Sequence, residues 1–201
     1  EADNILILIP EIHKAKIKLK INKFEILLVD DNSTDNTKNV IKKLKKKYKY
    51  LRFFVRKNKK KDLSKSCVHG FNKSSYNNIL VMDGDYQHHP RYILKLFTVF
   101  SKGNFDLVIG SRDLLKRSEG LSYIRRLFSI VLIKIINHLL GNRTSDPMSG
   151  YFLFKKKIYT VNKEKMFVRG YKILSDLIYA SKKNIKIKDV PILFDRRISG
   201  K

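Results

Sequence analysis

Two segments of this sequence place acids where a buried stretch of chain comes to an end. In NNILVMDGDYQ the apolar run Ile79–Met82 is followed by Asp83, Asp85 and Gln87 at every second position. In EILLVDDNSTDNT the run ending at Val29 is followed by Asp30 and Asp31. On an extended segment residues 83, 85 and 87 share one side, so their oxygens can converge on one point, and Gly84 lets the backbone approach a ligand closely. A few hard oxygen ligands with positions left open suit Mg²⁺ or Mn²⁺ shared with a diphosphate. Two carboxylates converging without a cation would repel each other. A D-x-D triplet alone is common by chance; its position after a buried strand, together with a second acidic strand end, is what singles it out. Asp30 and Asp31 have a plainer role open to them as turn and capping residues, with Asn32, Ser33 and Asp35 also available as caps. His88 and His89 have no Cys or further His at zinc-ligand spacing, so they are expected to lead into a helix with Pro90 in its first turn.

The elements that must hold these residues alternate along the chain. Short apolar runs at Glu25–Val29, Leu51–Val55, Ile79–Met82, Asp106–Ile109, Tyr151–Phe154 and Ile185–Phe194 read as strands. Helical periodicity is expected near 2–20, 34–48, 64–75, 90–102, 118–140 and 170–183, with Pro10 interrupting or ending part of the first helix. This pattern predicts one α/β domain over 1–201, a mostly parallel sheet with helices on both faces. In open parallel sheets, ligands bind beyond the carboxyl ends of the strands, where the two acidic segments lie. The chain opens on EADNILILIP, a helix-like stretch with no strand before it. Either the fold has lost its first strand or the chain is shortened at its N-terminus; the second is expected, because a missing central strand leaves a gap in the pairing.

Bulk composition constrains less. The chain has 201 residues, 43% hydrophobic and 31% charged, which is globular rather than disordered. A formal charge of +26 attracts nucleic acid, anionic lipid or phosphorylated substrates, although Lys-rich runs such as KKLKKKYKY also arise as solvated helix faces through compositional drift. One cysteine, Cys67, excludes an intrachain disulfide and fits a reducing compartment. No signal peptide is visible, and no apolar run approaches the roughly 20 residues that span a bilayer.

The ordered set VDDNSTDNT, VMDGDYQHHP, LVIGSR and DPMSGYFLF resembles the polyprenyl-phosphate glycosyltransferases within glycosyltransferase family 2, over nearly the whole chain. The resemblance implies a GT-A fold and an inverting transfer of a sugar from a nucleotide diphosphate sugar, such as GDP-mannose or a UDP-sugar, to a polyprenyl or dolichyl phosphate, with Mg²⁺ or Mn²⁺ as cofactor. It also implies peripheral attachment to the cytoplasmic face of a membrane. By resemblance, Asp83, Asp85 and Gln87 hold the metal and donor with Gly84 between them, and Asp31 binds the nucleoside beside Val29. Glu1 matches the last acid of the family's opening Pro-Thr-Tyr-Asn-Glu segment. Arg112 matches the family's phosphate-contacting arginine; a guanidinium forks onto phosphate oxygens and stays charged. By the same resemblance, Arg197 in FDRRISGK closes over the donor phosphates, and Lys172 in GYKIL is a second candidate for that task.

The stretch EGLSYIRRLFSIVLIKIINHLLGNR repeats Leu121, Ile124, Leu127, Phe128, Val131, Leu132, Ile135, Ile136 and Leu139 at helical spacing. Arg125, Arg126, Ser129 and Lys134 interrupt that face, which fits a helix lying at a membrane surface; core packing is the alternative. In the resembling family an Arg and a Ser one helical turn apart contact the acceptor phosphate, and Arg125 with Ser129 has that spacing, alongside Arg112. DPMSG carries Met148 where the family has Thr, and Asp62 and Ser64 stand where many relatives have the glycines of a Gly-Leu-Gly turn. Other assignments are a family 2 enzyme acting on a hydroxyl acceptor, an inactive remnant, and a basic nucleic-acid-binding domain, for which no reader motif is evident.

Overall fold

A computed structural model describes residues 2–57, 60–112, 123–181, 185–193 and 195, and only the backbone of 123–130. In chain order the elements are α1 (Ala2–Lys18), β1 (Ile26–Asp30), α2 (Thr37–Lys47), β2 (Leu51–Val55), α3 (Leu63–Lys73), β3 (Asn78–Val81) and α4 (Tyr92–Lys102). They continue with β4 (Leu107–Arg112), α5 (Tyr123–Leu139), β5 (Phe152–Lys155), α6 (Lys156–Asn162), α7 (Ile173–Ala180) and β6 (Ile187–Ile192).

Every predicted strand forms. Strand β1 pairs in parallel with β2, from Ile26 opposite Leu51 to Asp30 opposite Val55. A second sheet has the order β3-β5-β4-β6. There β4 and β6 run parallel, whereas β5 runs antiparallel to both β3 and β4. Among the described residues the two sheets share no ladder. The apolar residues in the middle of β1 and β3 are only half-buried.

Strand alternation builds two cores. Val108 and Leu153 face one side with Ile5, Ile9 and Ile12 of α1, Val40 and Ile41 of α2, and Leu96 and Phe100 of α4. Leu107, Ile109, Phe152 and Phe154 face the other, with Phe71 of α3, Ile158 and Tyr159 of α6, and Leu174 and Leu177 of α7. The period-2 pattern thus sorts the helices into a layer on each face.

Pro10 does not break its helix: α1 runs through it. The carbonyl that loses its partner belongs to Leu6, on the exposed side, where solvent can satisfy it. Helix α6, where no helix was expected, follows β5 without a loop. Its seven residues are too few for a helical period to be read from sequence.

Candidate active site

The carboxyl ends of β3, β4 and β6 and the start of β5 meet at one rim. Val81 and Ile109 both lie opposite Phe152, and Arg112 lies opposite Ile192. Asp83, Arg112 and the Asp146–Gly150 loop are therefore gathered at the same end of the sheet. The segment 83–87 is not extended, as the sequence suggested it would be. It turns, with Gly84 and Asp85 in the turn and Tyr86 at a φ of 66°. Alternation therefore does not align 83, 85 and 87; Asp85 is buried and accepts a hydrogen bond from the backbone N of Gln87 (3.1 Å). Gln87 faces β6's exit: its Nε2 donates to the Asp195 carbonyl (3.3 Å), and Asp195 N donates to the Gln87 carbonyl (3.1 Å).

Asp83 keeps its carboxylate about one-third exposed. Nδ1 of the buried His88 lies 3.2 Å from its Oδ2, and the His88 ring packs on Tyr151 with centroids 5.2 Å apart. The backbone N of Asp83 donates to the same Nδ1 (3.5 Å), so His88 is tied to Asp83 as well as leading toward α4. The same Oδ2 lies over Gly150, where a Cβ would come within 2.5 Å of it. Glycine is needed here because of this close approach.

Arg112 ends β4 in a two-point fork: its Nε lies 2.7 Å from Oδ2 of Asp146 and its Nη2 2.8 Å from Oδ1. Burial alone would lower the guanidinium pKa, but hydrogen bonding and charge from Asp146, then the charge of Asp83, outweigh it and raise the value. Asp83 is thus near enough for its field to reach Arg112. The loop behind is tied down: Ser149 Oγ donates to the Gly110 carbonyl (2.7 Å), and Ser175 Oγ to that of Pro147 (2.6 Å). Met148 lies beside Ser175, whose Oγ is 3.7 Å from its sulfur.

The β1–β2 sheet supplies the other acidic end. Asp30 caps the following turn by accepting from Ser33 N (3.1 Å). Asp31 pairs with the buried Arg56 and accepts from Asp62 N (2.7 Å). Arg56 also donates to Ser66 Oγ (2.7 Å) and the Asp62 carbonyl (2.9 Å). Sequence reasoning missed Arg56; its place directly after a strand was the available signal. Val29 packs toward α3, with Cγ2 3.5 Å from where a Gly70 Cβ would lie. Asp62, in place of a family glycine, is the N-cap of α3 and accepts from Lys65 N (3.0 Å). The two acidic ends converge on α3. The Cys67 thiol is pushed up to about 12, first by burial and then by the charges of Asp83, Asp31 and Asp62.

Lys172 is exposed at the start of α7. Glu1 and Arg197 lie outside the described residues, as do the side chains of Arg125 and Ser129, whose backbone is in α5. Further along that helix Val131, Leu132, Ile135 and Leu139 are exposed, so this part does not pack its apolar face into a core. No helix among the described residues is long and apolar enough to cross a membrane.

A divalent ion fits this donor set. Among the described residues no group of three or more His, Cys, Asp or Glu side chains that could hold a metal ion occurs. Asp83, part-exposed over Gly150, and Asp85, buried on the Gln87 amide, are the two carboxylates that an Mg²⁺ or Mn²⁺ ion shared with substrate phosphates would meet at this strand end.

The fold is of the GT-A type, and the chain belongs to glycosyl transferase family 2, whose family pattern matches residues 2–161. It is 33% identical over 180 residues to a dolichol-phosphate mannosyltransferase of Pyrococcus furiosus, covering 88% of this chain and 49% of that protein. It is 30% identical to the enzyme of the same name from Mycosarcoma maydis, over 88% of this chain and 60% of the relative. The chain thus spans about half to three-fifths of the length of these relatives. Glucosyl-3-phosphoglycerate synthase from Mycobacterium tuberculosis, in complex with Mn²⁺, UDP and glucosyl-3-phosphoglycerate, has the same fold at 16% identity. Its TM-score is 0.69, over 98% of this chain and 70% of the other. The same synthase in complex with Mg²⁺ and UDP superposes with a TM-score of 0.65, over 95% of this chain and 67% of that one.

Proposed function

We propose that this chain transfers a sugar from a nucleotide diphosphate sugar to a polyprenyl phosphate, with inversion and with Mg²⁺ or Mn²⁺. The observation that carries this reading is Arg112, forked on buried Asp146 within the field of Asp83. It sets a fixed cation for phosphate beside acids that suit a metal. Relatives named dolichol-phosphate mannosyltransferase support the acceptor class, and solved neighbours complexed with Mn²⁺ or Mg²⁺ and UDP support the donor class.

The bound ion would neutralise charge on the departing diphosphate. Asp83 and Asp85 would hold it, with Gly150 leaving room for the Asp83 carboxylate. Arg112 would grip phosphate, its guanidinium plane already oriented by Asp146 before substrate arrives. Asp31 would present a carboxylate to the nucleoside, with Arg56 holding it in place. Lys172 and Arg197 would add positive charge over the donor, and Arg125 and Ser129 of α5 would meet the acceptor phosphate. A lipid phosphate is anionic at neutral pH, so no side chain need remove a proton from the nucleophile. The exposed apolar face of α5 supports peripheral attachment to a membrane.

The test is transfer from radiolabelled GDP-mannose and UDP-glucose to polyprenyl phosphate in detergent, with and without Mn²⁺, with the product anomer read by NMR. Inverted lipid-linked sugar, lost in EDTA, is expected. Undiminished transfer in EDTA, or transfer to hydroxyl acceptors alone, would overturn the reading.

A further inference from the structure

Between α6 and α7 the chain adopts a conformation that costs energy. Val168 has a φ of 50°, in the left-handed region that a β-branched residue rarely enters. Asp176 in the first turn of α7 holds it there, accepting from Phe167 N (3.0 Å) and Val168 N (2.8 Å). The outcome is an aromatic side chain thrust into water. Phe167 is 73% exposed, Tyr171 77% and Tyr179 58%. The Phe167 and Tyr179 rings lie 6.0 Å apart at a tilt of 39°. Lys163, Lys165 and Arg169 flank them in the chain, with Glu164 the only acid from 161 to 172.

This loop is tied to the rim of the site. Gly170 N donates to Asp62 Oδ2 (3.1 Å), Ser64 N donates to the Gly170 carbonyl (2.9 Å), and Asp62 N reaches Asp31. A strained backbone, fixed by a dedicated carboxylate, presents aromatics among cations beside a binding site. The matching partner is apolar just beneath a negative surface.

We propose that Phe167, Tyr171 and Tyr179, with Lys163, Lys165 and Arg169, form a ridge that seats in the interfacial layer of an anionic bilayer. Tyrosine fits this layer because its ring is apolar and its hydroxyl stays wet, and each basic residue near anionic headgroups adds attraction. A nucleic-acid surface fits less well, because the tilted, mutually packed Phe167 and Tyr179 rings do not offer parallel open faces for bases. The proposal rests on the membrane attachment argued above and names a second contact for it, separate from α5.

The sequence contains no tryptophan, so Phe167→Trp places a single fluorescent reporter on the ridge and Val131→Trp a separate one on α5. The 201-residue chain would be mixed with phosphatidylcholine vesicles, with or without phosphatidylglycerol. Emission from the ridge reporter is expected to shift to the blue and to be quenched by brominated acyl chains only with the anionic vesicles. The Phe167→Ser/Tyr171→Ser variant is expected to partition about tenfold more weakly at unchanged melting temperature. If the ridge reporter stays in water while the chain sediments with vesicles, or the serine variant partitions like the parent, the ridge is overturned. A blue shift of the α5 reporter in that case leaves attachment through α5 standing. Absence of vesicle binding by every variant overturns both readings. A response of the ridge reporter to a mixed oligonucleotide but not to vesicles assigns the ridge to nucleic acid instead.

Discussion

The Arg112 guanidinium meets the fully buried Asp146 carboxylate edge to edge, and the backbone N of Arg112 donates to the same carboxylate (3.1 Å). A side chain held at two points beside its own anchored backbone cannot be replaced by one that keeps only its charge. Arg112→Lys should lower sugar transfer by about 10²-fold with little loss of fold. Asp146→Ala strands a partly buried cation and should cost about 3 kcal/mol in urea unfolding, Asp146→Asn clearly less. Equal activity of the lysine variant would remove Arg112 from the phosphate role.

Gly150 and Asp83 are coupled by space. A Cβ at 150 must displace the Asp83 carboxylate, so Gly150→Ala should weaken Mn²⁺ binding about tenfold or more. Electron paramagnetic resonance of free Mn²⁺ in the presence of UDP measures this. Asp83→Asn should abolish the binding, and EDTA should reverse it in the parent. Unaltered Mn²⁺ affinity in both variants would move the ion elsewhere.

Arg56 is buried against Asp31, Ser66 and the Asp62 carbonyl, so it is expected to matter for folding as well as for donor binding. Arg56→Ala should destabilise the chain by about 3 kcal/mol, since it leaves Asp31 without its counter-charge. Lysine should recover part of this, because Nη1 alone meets Asp31, the Asp62 carbonyl and Ser66, and an ammonium also carries three donors. Chemical denaturation of the two variants decides the matter.

Cys67 should react slowly. With its thiol pushed up to about 12, alkylation by iodoacetamide at pH 8 should lag far behind that of the unfolded chain. As pH rises, the unfolded thiol ionises first, through its ordinary range around about 8.5, while the folded thiol stays neutral. This group therefore withdraws stability between that range and about 12, and Cys67→Ser should flatten the alkaline limb of a stability profile.

All six strands could be read from sequence, because each apolar run is short and bounded by turn residues, and the acids at two strand ends marked the rim. The geometry at 83–87 could not. A period-2 rule presumes an extended chain, whereas Asp85 bonds the Gln87 amide locally and Tyr86 turns the backbone. Gly150 was likewise hidden, since its contact with Asp83 joins β3's exit to β5's entry, a pairing set by strand order, whereas His88 reaches Asp83 from five residues on, across the same turn. Arg56 lies 25 positions from Asp31, and only the parallel pairing of β1 with β2 brings them together.

Asp31 rides on one hydrogen-bonded slab and Asp83 on another, and no ladder among the described residues fixes the distance between them. Their spacing is set through α3, whose N-cap Asp62 donates its N to Asp31 and accepts from Gly170 N, and whose Phe71 packs in the core against β5. The distance from Asp31 to Asp83 therefore answers to how one helix is seated rather than to strand register.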